Sequence, residues 1–298
     1  LAKFHFIVPV LSQVMAGKHW ARADNPDGRS VEDSLNRCMQ SLVNQTAIAD
    51  VRIHVVCHEI PIMHVDPTRI AAHSVTFPRP PDMDLATYNK LSGKVLPKLP
   101  NDDRKKIGDK YSKIKVGLTA AFCDPEAQWI MIVDHDDLIH KDVAAHALEH
   151  DGQFLGGHTV TRGYAWQVGA PTLRTLDGFH KTCGSCNIVR LAQWEKDLFN
   201  QTKDINAFGF GNEGEPTSRK NHWLFAGHAS TFARLRKAGR DTRKLPFRAA
   251  VYVTDTGANY SNTKRSGSGD ADLGILETDF GIVQAPTTLT SASAQSER

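Results

Sequence analysis

The chain has 298 residues, 40% hydrophobic and 23% charged, enough apolar material for a large core in one or two domains. Its formal charge of +3 is spread without a long Lys/Arg run, which argues against a nucleic-acid partner and leaves room for a local basic pocket. No stretch of about 18 apolar residues occurs, so no membrane-spanning helix is expected.

Phe4-His5-Phe6-Ile7-Val8 is a buried strand closed by Pro9 and Val10, not the charged-then-apolar start of a secretory leader. Residues 11–29 are polar and read as a loop. Ser30 and Asp33 form a capping pair before Val31, Leu35, Cys38, Met39 and Leu42, which predicts an amphipathic helix over 31–44. Residues 51–56 are a second strand ending at Cys57-His58-Glu59, and strand, helix, strand is the opening of a parallel sheet. A third apolar stretch covers 72–77. Residues 78–108, rich in Pro, Lys and Asp, show no period and read as a long excursion. Ile114, Leu118 and Phe122 predict a helix over 110–123, and Trp129-Ile130-Met131-Ile132-Val133 is the most apolar strand. Val143, Ala144, Ala147 and Leu148 mark another helix. Beyond about Gly152 strands become short, with frequent Gly and Thr. Residues 230–239 are helical, and 287–298, rich in Ser, Thr, Ala and Gln, are expected to be a disordered tail.

The five cysteines, Cys38, Cys57, Cys123, Cys183 and Cys186, are odd in number and form no regular framework, so a reducing, cytoplasmic location is expected. Cys183 and Cys186 form a Cys-x-x-Cys. No second ligand pair suits zinc, and a strand rather than a helix follows, so unpaired structural thiols are expected. His54, His146 and His150 are expected on element surfaces. Tyr164, Trp166 and Trp223 suit either sugar stacking or core packing.

The apolar strand runs straight into Asp134-His135-Asp136-Asp137. Ligands of open parallel sheets bind beyond the carboxyl ends of the strands. Three carboxylates in four residues repel one another, and a hard divalent cation, Mn²⁺ or Mg²⁺, relieves this while sharing a substrate diphosphate. In an extended segment Asp134 and Asp136 would face the same side. The competing reading is an acidic loop that caps the following helix.

Residues 129–142 resemble the metal-binding strand of family 2 glycosyltransferases, in which a hydrophobic strand enters D-x-D-D. Ser34-Leu35-Asn36-Arg37-Cys38-Met39-Gln40-Ser41-Leu42 resembles that family's first helix, and the strand ending Pro9-Val10 its opening strand. The resemblance implies a GT-A fold, with a central mostly parallel sheet flanked by helices. Residues 1–150 would then bind the nucleotide-sugar and 151–286 the acceptor, within one domain.

The resemblance further implies that Asp134 and Asp136 hold the metal, with Asp134 also near the donor. Pro9, Glu59, Lys110 and Lys113 become donor-binding candidates. Glu59 stands where the family carries two acidic residues, and is equally a solvated loop carboxylate. Where the family carries Glu-Asp before a late helix, this chain has Gly227-His228. His228 is therefore a candidate metal ligand, a candidate base, or a capping residue. Glu213 and Glu215, in the Gly-rich stretch 209–216, are alternative bases, and that stretch is a candidate lid.

The implied activity is transfer of a hexosyl or N-acetylhexosaminyl group from a nucleoside-diphosphate sugar, expected to be a UDP-sugar, to a glycan or lipid-linked hydroxyl. Peripheral membrane contact is compatible with it. The alternatives are a sugar-phosphate nucleotidyltransferase and a degenerate transferase acting as a glycan-binding scaffold.

Overall fold

The computed structural model describes residues 1–12, 30–77, 101–151, 156–205, 223, 230–254 and 269–283, and the side chains of 101–106 fall outside that description. In chain order its main elements are β1 (Phe4–Pro9), α1 (Val31–Val43), β2 (Val51–Cys57), β3 (Ile70–Ser74), α2 (Asn101–Phe122), β4 (Trp129–Ile132), β5 (Leu138–Ile139) and α3 (Val143–Glu149). There follow β6 (Gly157–Thr159), β7 (Arg162–Gln167), β8 (Leu173–Asp177), β9 (Asn187–Arg190), α4 (Gln193–Thr202), α5 (Thr231–Lys237), β10 (Thr242–Lys244), β11 (Ala250–Thr254), β12 (Asp270–Ala271) and α6 (Gly274–Phe280).

Every residue of β1 is buried, because the strand is central and both faces are covered. It pairs in parallel with β2 on one side and β4 on the other. Phe4, Phe6, Val8 and Val10 pack with Leu35, Cys38, Met39 and Leu42 of α1. Ile7 faces the other way, onto Ile114 and Leu118 of α2. Gly117 lets α2 settle close to the sheet: a Cβ there would come 2.5 Å from Cγ2 of Ile7. The Ser30 cap forms as expected, its Oγ accepting from the Asp33 amide at 3.0 Å.

The central sheet has the order β10-β6-β9-β4-β1-β2-β3, and among its strands β9 alone runs against its neighbours. The α/β class with a mostly parallel sheet flanked by helices is therefore what the structure shows. A second sheet, β12-β8-β7-β11-β5, was not foreseen. Its core joins Leu138, Val251 and Val253 to Leu276 and Phe280 of α6. Strands as short as β5 and β12 are two residues long and leave no period to read.

Two expectations need correction. Residues 101–108 belong to α2, not to an excursion; Asn101 to Lys106 include no apolar residue, so no amphipathic signal marked the first turns. His54 is not on a surface: it is 4% exposed, on an inner strand, hydrogen-bonded to His5 at 2.9 Å and His73 at 3.0 Å. His146 on α3 and His150, just past its end, keep surface positions as expected, half-buried with ring centroids 4.1 Å apart. Tyr164 and Trp166 take the core alternative, and Trp223 is buried in the core while also facing the cavity described below. Residues 11–12 are described, whereas 13–29 and the expected tail lie outside the described residues. No described helix is long and apolar enough to cross a membrane.

Candidate active site at the end of β4

From β1 the chain moves outward through β2 and β3, then returns to β4 on the other side of β1. Reversal of strand order at neighbouring parallel strands opens a crevice beyond their carboxyl ends. Pro9 and Asp134 both lie at that end of the sheet. Asp134 has the same parity as Ile130 and Ile132, so it emerges on the face covered by α2. A cavity of about 70 Å³ there is lined by Lys110, Tyr111, Ile132, Asp134, Asn187 and Trp223, among others.

Lys110 of α2 and Asp134 meet across this cavity, Nζ to Oδ1, at 2.5 Å, with side chains 40% and 25% exposed. Burial works against the Lys110 charge, but attraction to Asp134 outweighs it and raises the ammonium pKa above its ordinary value.

The acidic run is not extended. The Asp137 amide donates to the Asp134 carbonyl at 3.0 Å, closing a turn over 134–137. The alternation argument for placing Asp134 and Asp136 side by side therefore fails, because strand geometry ends before Asp136. Asp136 is 7% exposed and acts electrostatically on Arg37 of α1. Asp137 is 1% exposed, and its Oδ2 accepts from Ser185 Oγ at 2.6 Å and Cys183 Sγ at 2.8 Å. Burial, then the charges of Asp136 and Asp134, push its carboxyl pKa well above the ordinary range. Burial also lowers the His135 pKa, against the pull of Asp136 and Asp134.

The Cys-x-x-Cys segment brackets this turn. Ser185 Oγ accepts from the Asp134 amide at 2.8 Å while donating to Asp137. A Cβ on Gly184 would stand 2.8 Å from Asp134 Oδ2. All five cysteines are free, and burial raises the Cys183 thiol well above its usual pKa, so these are structural thiols ahead of a strand, as expected. The sequence marked the segment but not its role as a cradle.

Lys113 departs from its expected role. It is fully buried, with Nζ 2.6 Å from Asp109 Oδ2 and 2.8 Å from the Val10 carbonyl. Asp109 Oδ1 lies 2.9 Å from His58 Nε2. This network ties α2 to the ends of β1 and β2, and a diphosphate would have to break it to reach Lys113. Glu59 follows β2 in a half-buried position, so Pro9, Glu59, Lys110 and Asp134 share one end of the sheet. His228, Glu213, Glu215 and the stretch 209–216 lie outside the described residues.

Among the described residues no three His, Cys, Asp or Glu side chains converge as a metal cage. Of the described carboxylates, Asp134 is the one that lines the cavity. One carboxylate offering an oxygen to a cation in a cavity suits a hard ion that arrives with phosphate oxygens and keeps water in its shell.

No family model matches the chain, and no curated protein matches it. Among solved structures it is similar to S. aureus TarS 1-349 in complex with UDP, at 14% identity and a TM-score of 0.39, covering 84% of this chain and 60% of that one. It is similar to a putative nucleotide-diphospho-sugar transferase from Desulfovibrio desulfuricans G20 at 12% identity and a TM-score of 0.35, covering 85% and 80%. It is also similar to Francisella tularensis 2-C-methyl-D-erythritol 4-phosphate cytidylyltransferase at 10% identity and a TM-score of 0.31, covering 87% and 94%. The chain thus spans about 60% of the length of TarS 1-349.

Proposed function

We propose that the chain is a GT-A-type glycosyltransferase that moves a hexosyl or N-acetylhexosaminyl group from a UDP-sugar to a glycan or lipid-linked hydroxyl. The observation that carries this reading is the opposed Asp134 and Lys110 in a cavity at the switch point between β1 and β4. A bound Mn²⁺ or Mg²⁺ would neutralise charge on the departing diphosphate. Asp134 would hold that ion, with Asp136 and His228 as further candidate ligands. Lys110 would neutralise a phosphate oxygen as a compact point charge. Ser185 and Gly184 fix the Asp134 backbone and leave room for its carboxylate. Pro9 and Glu59, at the same end of the sheet, would be the candidate contacts to the nucleoside. A base for the acceptor hydroxyl is sought among His228, Glu213 and Glu215.

Titration calorimetry with UDP, with and without Mn²⁺, tests the reading on the wild type and on Asp134→Asn. Metal-dependent UDP binding that weakens at least about tenfold in the variant is expected, the scale of one lost charge-assisted contact. Absence of nucleotide binding by the wild type refutes the proposal. Preference for CTP or UTP over UDP replaces it with nucleotidyl transfer.

A further inference from the structure

The Asp134 carboxylate is enclosed on two sides. Gly184 stands against Oδ2, and Lys110 Nζ lies 2.5 Å from Oδ1. Lys110 is therefore a resident counter-cation on the carboxylate that a divalent ion would need. A free divalent ion must displace the ammonium, and a free diphosphate must draw that ammonium off Asp134. When both ligands enter together, Lys110 passes to phosphate and Asp134 to the metal, and every charge keeps a partner.

Resting on the transferase reading above, we propose that the Lys110–Asp134 pair couples metal and nucleotide binding, each ligand exposing the group the other needs. The cost of opening the pair is incurred once, by whichever ligand binds first, so the second binds more tightly. Linkage makes this reciprocal: the metal strengthens nucleotide binding by the same factor as the nucleotide strengthens metal binding. Direct attraction between metal and phosphate also couples the two ligands, but that part does not depend on Lys110. Both side chains are partly exposed, so the contribution of the pair is small, about fivefold.

The probe is Mn²⁺ alone, with the free ion followed by its EPR signal in the absence of nucleotide. Lys110→Met and Lys110→Gln are expected to bind Mn²⁺ about fivefold more tightly than the wild type, while Lys110→Arg stays near it. Adding Asp134→Asn to either neutral variant should abolish the gain. With UDP present, the neutral variants should show a smaller UDP-induced increase in Mn²⁺ affinity than the wild type. Thermal unfolding curves identify which variants are folded, and two neutral substitutions guard against one that is not.

Unchanged or weaker Mn²⁺ binding in the folded neutral variants, beside metal-dependent UDP binding by the wild type, overturns the coupling and leaves the transferase reading standing. A wild type that binds neither ligand overturns both.

Discussion

Lowering the pH should destabilise the fold through a row of imidazoles crossing β1, β2 and β3. His5 Nε2 lies 3.0 Å from the Ala2 carbonyl, which can only accept, so that nitrogen carries the proton. His5 Nδ1 then accepts from His54 Nε2 at 2.9 Å, and His54 Nδ1 accepts from His73 Nε2 at 3.0 Å. The row thus has one direction. A proton added to His54 Nδ1 would set two N–H groups against each other inside the sheet. Burial is the main reason the His54 pKa falls from 6.5 to about 3; His5, His73 and Arg52 add to the effect, and Asp124 opposes it.

The sign follows from linkage. An unfolded chain takes up this proton below about pH 6.5, and the folded chain resists it until about pH 3. Stability from His54 is therefore intact above pH 6.5 and is lost as the pH falls toward 3. At about 1.4 kcal/mol per pH unit, the loss between pH 7.5 and 4.5 is about 3 kcal/mol. Urea unfolding of the wild type and His54→Gln at several pH values isolates this contribution, because the carboxylates are common to both. The wild type should be the steeper by about one proton between pH 6 and 4. Parallel pH profiles for the two proteins would refute the reasoning.

Lys113→Met should cost about 3–5 kcal/mol in chemical denaturation, because it leaves the buried Asp109 carboxylate without its ammonium partner. A variant that keeps its stability but loses nucleotide affinity would restore the donor-binding role. Gly184→Ala should weaken UDP·Mn²⁺ binding by about tenfold or more, since the new methyl stands 2.8 Å from Asp134 Oδ2 and must push that carboxylate aside. Calorimetry reads the affinity, and an unchanged value would show that the Asp134 position does not matter.

What could be read from the sequence depended on whether a single element's own period decided the outcome. The α1 stripe and its Ser30 cap were visible, and Asp134 inherits its direction from Ile130 and Ile132. The fate of Asp136 was not visible, because four polar residues look alike whether extended or turned, and the turn is held by a backbone hydrogen bond. His54 was misread because solvent access on an inner strand is set by the helices and strands around it. For Lys113 a signal did exist: Asp109 lies four residues earlier on the same helix, the spacing of an ion pair. What the sequence withheld was the Val10 carbonyl of β1 that completes the burial.

Lys110 and Lys113 sit less than one turn apart on α2, each within 2.6 Å of a carboxylate oxygen, and burial alone separates their uses. The Lys113 side chain is fully buried and its partner Asp109 nearly so, so opening that pair strands a charge at a cost of about 3–5 kcal/mol. The Lys110 and Asp134 side chains keep 40% and 25% of their exposure, and opening such a pair costs about 1 kcal/mol or less. Ligand charge can exchange with the second pair and not with the first. One helix thus fixes the ends of β1 and β2 with a lysine that cannot be released, and offers the cavity another that can.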